Sequence, residues 1–456
     1  MRLSILSFLS FVLFFSANAQ EKIWTLEECV AYAVENNISI QQSELTNEAL
    51  KEDIRSAEGN FYPNFNISMN QGWNFGSFIG QDGSRIAIDS RSNSFNGSTG
   101  VTLYNGGRNQ MNLIQARKNL EAAGFDLEES KNNIMLFVVN SYLNVLLNKE
   151  SVIIAKDQVE ISKKQVEVTQ KLVDAGSSPK ADLLDAQATL ASNEERLTSA
   201  VNQVDLALLS LAQLLQLSHR GFDVETIVLS INSSSLVYND TDQIFNTALG
   251  ILPEIKSAEL AVENSELSVK MAKAANIPTL SVGGGLGSTY QHSQGKEDIR
   301  IIIDPETGVP SEIDNGFGKQ LKDNFGTNFA FRLSVPVFNN FQNKTNIARQ
   351  KIMQERAELD LIDHKIKLRE SIEQAYADAK ASLNQFVAAE KSLVAQEESF
   401  KNAQVSYSSG VMTSFDFDQI RNRLVNAQVN LINAKYNFVF RTKLLEYYLG
   451  IPVVLE

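Results

Sequence analysis

The chain has 456 residues, of which 43% are hydrophobic and 21% charged, with 41 basic against 54 acidic side chains and a formal net charge of −13. That balance excludes a basic nucleic-acid footprint, and a single cysteine, Cys29, excludes an intrachain disulfide. Past residue 20 no run approaches the roughly 20 apolar residues of a helical membrane span; Ile134 to Val139 is the densest stretch.

Residues 1–19 read as a cleavable secretory signal: Arg2 is the only charge, an apolar run extends from Leu3 to Phe15, and Ala17-Asn18-Ala19 forms a small-x-small site before Gln20. Removing it leaves 40 basic and 54 acidic side chains, a net of about −14. No lipid-anchor cysteine follows the cut, because Cys29 lies ten residues beyond it.

Ser39 to Asn60 reads as a helix of roughly 33 Å. From Pro63 to Phe75 the chain alternates Phe65, Ile67, Met69, Trp73 and Phe75 with Asn64, Asn66, Ser68, Asn70, Gly72 and Asn74, a strand with one apolar and one polar face. A second strand sets Phe95, Thr99, Val101 and Leu103 against Asn96, Ser98, Gly100 and Thr102. Asn105-Gly106-Gly107-Arg108 reads as a strand-to-helix junction that needs positive φ. Asn109 to Ala175 contains no proline and one glycine, Gly124, and predicts a single helix of roughly 100 Å. Val152, Val159, Val166 and Val173 form one heptad seam on it; Ile154, Ile161 and Val168 form a second beside it. Two adjacent seams place a helix between two neighbours, as in a closed ring of helices, whereas a trimeric coiled-coil stalk needs one. Gly176 and Pro179, with Ser178 as cap, mark a tight turn into a return helix ending near Leu217.

The second half repeats the first. A shift of 234 residues carries Tyr104 onto Phe338, Gly176 onto Gly410, Asp182 onto Asp416, and the valine seam onto Phe386, Leu393, Phe400 and Tyr407. Upstream the shift is 215, pairing Ala57…Pro63 with Ala272…Pro278, so the second copy holds 19 extra residues in a loop. Its strands are Leu280, Val282 and Leu286 against Ser281, Gly283 and Gly285, and then Phe325 to Val335. The boundaries assigned are 1–19 for the signal, 20–228 for the first repeat and 229–456 for the second.

Alternation alone also fits a soluble, half-buried sheet. Aromatics tip the reading toward a membrane barrel: Tyr62, Tyr104 and Phe338 fall at one rim, Trp73 and Phe75 at the other, about 26 Å apart for a strand tilted near 45°. Four strands cannot close a barrel, and open edges do not persist in hydrocarbon, so several copies must share one. Two would give eight strands filled by side chains; three would give twelve around an open lumen, which the inward amides favour.

The chain resembles the TolC-like outer-membrane efflux family across nearly its whole mature length. The resemblance rests on Leu26-Glu27-Glu28-Cys29-Val30 with Glu35-Asn36-Asn37, the strand entries Tyr62-Pro63 and Ile277-Pro278, Val335-Pro336-Val337-Phe338, and Gly176…Asp182-Leu183-Leu184-Asp185-Ala186-Gln187. It implies a mainly α fold with a small β part: two tandem repeats of strand pair plus long helical hairpin, trimerising into a twelve-stranded outer-membrane β-barrel continued by a twelve-helix periplasmic α-barrel. It further implies a passive exit duct in the outer membrane of a Gram-negative bacterium. The partners it implies are two more copies of the chain, outer-membrane lipid, a periplasmic adaptor protein and an inner-membrane transporter. The family's tip is gated by acidic positions six and nine after the turn glycine; here these are Asp416 and Gln419, with Asp418 alongside and Asp182 and Asp185 in the first repeat. An arginine of the family's lock falls on Met412. The adaptor would meet the hairpin tips at Gly176, Ser177 and Pro179 and at Gly410, Val411 and Met412. The alternatives are a periplasmic adaptor, which would not be duplicated, and a coiled-coil surface protein. His219, His292 and His364 have no ligand spacing, and Gly283-Gly284-Gly285-Leu286-Gly287 lacks the lysine and helix start of a phosphate loop. No catalytic residue, metal, cofactor or nucleic-acid partner is expected.

Overall fold

The computed structural model describes residues 22–87, 89–227 and 240–451. The signal segment and the 228/229 repeat boundary lie outside these residues. The first half contains β1 (Ile23–Trp24), α1 (Leu26–Asn36), α2 (Ile38–Gly59), β2 (Asn64–Asn74), β3 (Ser77–Ile79), β4 (Arg85–Ala87), β5 (Ser90–Tyr104), α3 (Arg108–Asp174), α4 (Lys180–Leu214) and β6 (Asp223–Val224). The second contains α5 (Thr241–Ile251), α6 (Pro253–Ala274), β7 (Thr279–Ser293), β8 (Ile299–Ile303), β9 (Pro310–Asp314), α7 (Phe317–Asp323), β10 (Gly326–Ser334), α8 (Gln342–Ser408) and α9 (Ser414–Tyr448). Both ends of α1 and α2 recur 215 residues later as α5 and α6, and both ends of α3 and α4 recur 234 residues later as α8 and α9.

The compact units do not coincide with these halves. One comprises the described residues up to Leu45, Phe125–Lys256 and Ile362 onward; the other comprises Thr46–Gly124 and Ser257–Leu361. Each therefore draws on both halves of the sequence.

In the helical unit, two cores use the same positions of each half. Cys29, Ala33, Val138 and Leu211 are buried in one; Ile244, Ala248, Ile372 and Leu445, their counterparts at the two offsets, are buried in the other. Cys29 thus occupies the core position that Ile244 takes in the second half. Burial, then the Glu28 charge, pushes its thiol up to about 12, so it should stay unlabelled by a maleimide at pH 8 in the folded protein and react once denaturant is added. Rapid labelling under native conditions would contradict that packing. Beside this core the Tyr142 hydroxyl donates to Glu225 O (2.8 Å), and Lys149 Nζ donates to Val224 O (2.7 Å) and pairs with Asp223 (2.6 Å), fixing β6 alongside β1.

The other unit holds a four-stranded antiparallel sheet in the order β10-β7-β5-β2. All four strands anticipated from alternation are present, but β5 and β7 run longer, to fifteen residues each. Their added ends, Ser90 to Ser94 and Gly287 to Ser293, are polar or glycine apart from Tyr290 and carry no periodic signal. The connections between the paired strands, residues 75–89 and 294–325, contain the hairpins β3–β4 and β8–β9 and the short α7. Beyond the start of β10, α7 covers the exposed edge of β7. Gln320 Oε1 accepts from Gln291 N and Gln320 Nε2 donates to Gln291 O, both at 2.9 Å, while Asn324 Nδ2 donates to Thr289 O at 2.7 Å. These amides replace the missing strand partner.

Candidate functional site

The sheet has two chemically opposite faces, and its register assigns every side chain to one of them. Pairs such as Ile67↔Gly97, Gly97↔Leu286 and Leu286↔Thr327 stand directly opposite one another, so they share a face with Phe65, Met69, Trp73, Phe329, Phe331 and Leu333. This apolar face is uncovered: Met69 and Phe329 are 73% and 71% exposed. The reverse face carries Asn64, Asn66, Asn96, Ser98, Asn328 and Arg332 among glycines, and lines a concavity of about 850 Å³. Exposed apolar surface of this extent marks a contact site rather than a folded core. The two outer strands, β2 and β10, each have one unpaired edge.

The glycines of β7 permit the close approach of neighbouring groups. A Cβ on Gly285 would lie 2.8 Å from Asn328 Oδ1 and 3.2 Å from the Gly97 carbonyl; one on Gly287 would lie 2.8 Å from Asn96 Oδ1. The amides of Asn96 and Asn328 therefore occupy the space where glycine side chains are absent. Gly326, on the same face, has open space. Gly285→Val should cost about 1–3 kcal/mol by overpacking and lower the thermal midpoint of the detergent-solubilised protein. Gly326→Val is the control, and equal effects would show that the contacts do not matter. The glycine run thus serves a strand face and not a phosphate.

Within the helical unit, α3 and α8 terminate in the same way. Gly176 and Gly410 have φ of +70° and +73°. Ser177 N donates to Leu172 O and Val411 N to Ser406 O, a Schellman closure in both halves. One local expectation is corrected. Ser178 does not cap α4; Pro179 occupies the N-cap with extended backbone, and the Ser178 hydroxyl bonds the Asp182 carboxylate. The equivalent of Pro179 in the second half, Thr413, does cap: its Oγ1 accepts from Asp416 N (3.1 Å) and donates to Asp416 Oδ2 (2.7 Å). Gly176, Ser177, Pro179, Gly410 and Val411 are exposed, whereas Met412 is half-buried against the cluster of Ala403, Tyr407 and Phe417.

The four candidate carboxylates separate into different environments. Asp182 and Asp416 lie in helix first turns, bonded to Ser178 and Thr413, where the helix dipole also favours them. Asp185 is exposed and makes no ion pair or hydrogen bond among the described residues. Asp418 joins a network that sequence reasoning missed. Arg421, 2% exposed, places Nη2 3.1 Å from Asp418 Oδ1 and donates through Nη1 to Gln165 Oε1 (2.8 Å) and Ser162 Oγ (3.3 Å). Gln165 Nε2 donates to Asp418 (3.3 Å), and Asn193 Nδ2 on α4 donates to Ser162 Oγ (2.7 Å). Burial lowers the affinity of Arg421 for its proton, Asp418 opposes this, and Arg196 adds to it. Gln158, Ser162, Gln165 and Thr169 form a buried polar stripe on α3, and the Thr169 and Tyr407 hydroxyls share a hydrogen bond at 2.8 Å. Its signal was available: Gln158 and Gln165, like Ser162 and Thr169, are seven residues apart.

An amphipathic sheet with open edges, joined in one chain to duplicated 67-residue helices, is an unusual pairing, and comparison with known proteins resolves it. The family profile of outer membrane efflux proteins matches residues 30–216 and 244–450. The chain belongs to the outer membrane efflux protein family. Among relatives, the pyoverdine export outer membrane protein OpmQ of Pseudomonas aeruginosa is 25% identical over 329 residues, 70% of this chain and 60% of OpmQ. The outer membrane protein TolC of Salmonella enteritidis is 24% identical over 182 residues, 38% of this chain and 37% of TolC. The matched regions thus span less than two thirds of either relative. Among solved structures, the outer membrane protein VceC from Vibrio cholerae has a TM-score of 0.74 at 15% identity, covering 94% of this chain and 97% of VceC, a likeness of fold.

In this efflux-family chain the two departures noted at the tip have local partners. Met412 packs in the apolar cluster described above, and Gln419 accepts from Arg423 Nη2 at 3.4 Å.

Proposed function

We propose that the chain is one protomer of a trimeric exit duct in the outer membrane of a Gram-negative bacterium. Three copies would supply twelve strands to a closed β-barrel and twelve helices to a periplasmic α-barrel, each copy consisting of tandem repeats at 20–228 and 229–456. The observation that carries this reading is the sheet: one face of exposed large apolar side chains, one of amides and glycines, and two unpaired edges. In hydrocarbon each unsatisfied backbone group costs several kcal/mol, and about eight strands are needed for closure, so other copies must provide the remainder. The polar face suits a wet interior, which favours twelve strands over eight.

Solutes would pass by diffusion, delivered by an inner-membrane transporter through a periplasmic adaptor. The exposed Schellman turns at Gly176–Ser177 and Gly410–Val411, with Pro179 and Met412, would form the adaptor-docking tips. Asp416, with Asp182 and Asp185, would narrow the passage there, because like carboxylates repeated around an axis repel one another and hold cations or protons; Asp418, the fourth candidate, has its charge met by Arg421 and would brace the tip instead. In planar bilayers Asp416→Ala should raise single-channel conductance and weaken its dependence on divalent cations. Unchanged conductance and cation dependence would remove the gate assignment.

A further inference from the structure

Within the helical unit, α3, α8 and α9 flank a solvent-open hollow of about 780 Å³. Six amide side chains line it: Asn140 and Asn144 from α3, Gln385 from α8, and Asn430, Asn433 and Asn437 from α9. Spacings of three and four residues place each set on one helix face. The chain is 21% charged, yet none of the lining residues is charged. Ala389, Ala427 and Ala434 keep the floor open, and Phe440 adds an aromatic surface.

Two further observations give the hollow a direction and a chemistry. Val138, Tyr142, Val145 and Leu146 bury the opposite side of α3 in the core that contains α1 and Val224, so Asn140 and Asn144 face about half a turn away from that covering. Among the six amides only Asn144 makes a side-chain hydrogen bond within the described residues, accepting at 3.2 Å from Asn148. The others keep their donors and acceptors available.

We propose that this hollow is a contact site for uncharged solutes rich in hydroxyl or amide groups. The proposal rests on the duct reading for how such a solute arrives. An amide both donates and accepts, matching a hydroxyl or another amide in either direction. No lining residue offers a charged solute a countercharge. Because such hydrogen bonds exchange with those of water, holding is weak, as a passage requires if its cargo is to leave.

The full-length protein in detergent is probed with maltohexaose by saturation-transfer NMR, beside a polyethylene glycol of similar mass that accepts hydrogen bonds but donates almost none. Transfer to maltohexaose is expected to exceed that to the glycol. It should weaken about tenfold in Asn433→Leu/Asn437→Leu and in Gln385→Leu, and survive in Asn433→Gln/Asn437→Gln. Absent transfer in the wild type, equal transfer to both probes, or equal transfer in the leucine and glutamine variants overturns the site. Conductance of the same preparations in planar bilayers tests the duct separately: a wild type that binds maltohexaose without conducting upholds the site and removes the duct.

Discussion

Asp418→Ala should loosen the hairpin end of the helical unit by about 3–5 kcal/mol, the cost of removing one partner from a buried ion pair. The variant strands Arg421, which is 2% exposed and retains only the neutral oxygens of Gln165 and Ser162. A guanidinium does not relieve that by losing its proton, so the helices must separate or admit water. Local hydrogen exchange is the suitable readout, since unfolding of a large membrane protein is often irreversible. Amides of 158–169 and 417–424 should exchange more than about a hundredfold faster. The double variant Asp418→Leu/Arg421→Met should recover most of the protection, because apolar replacement of a buried pair is commonly neutral or stabilising. Unchanged exchange in the single variant would show that the network is not holding α9 against α3.

Met69→Arg should damage the sheet far more than Asn70→Arg, although the two positions are adjacent. Met69 is the central residue of the eleven in β2 and lies on the apolar face; Asn70 lies on the reverse. An arginine facing lipid near the bilayer midplane costs about 2–4 kcal/mol per copy, whereas one facing a wet lumen costs little. In lipid bilayers the expected result is poor insertion of the first variant and near-normal insertion of the second, with altered ion selectivity. If the two arginines behave alike, the assignment of faces is wrong.

The legible parts of the sequence were those with strong punctuation or a strict period. Gly176 and Gly410 closed the long helices within one residue of the expected end, because a left-handed position just past a helix end favours glycine. Phe65 to Trp73 exposed a strand because apolar and polar residues alternate along it with one exception, Gln71. The added ends of β5 and β7 did not, carrying one aromatic, Tyr290, among polar residues and glycine, and α7 was hidden because its role is to cover an edge rather than to fill a core. At the tips, the same residue types had two possible uses. Asp418 looked like its neighbour Asp416, and only Arg421 packed against Gln165, 256 residues away in sequence, separates them. Gln158, Ser162, Gln165 and Thr169 follow a heptad as regularly as the valines do, but polar residues at that spacing read as a solvated face until their partners are known.

In the proposed duct the sheet is a fraction of a barrel wall completed by identical chains. Native mass spectrometry of the protein extracted from outer membranes in mild detergent measures this directly. A species containing three chains, with little monomer, is expected; a single chain that stays soluble and folded without detergent would rule out the shared barrel.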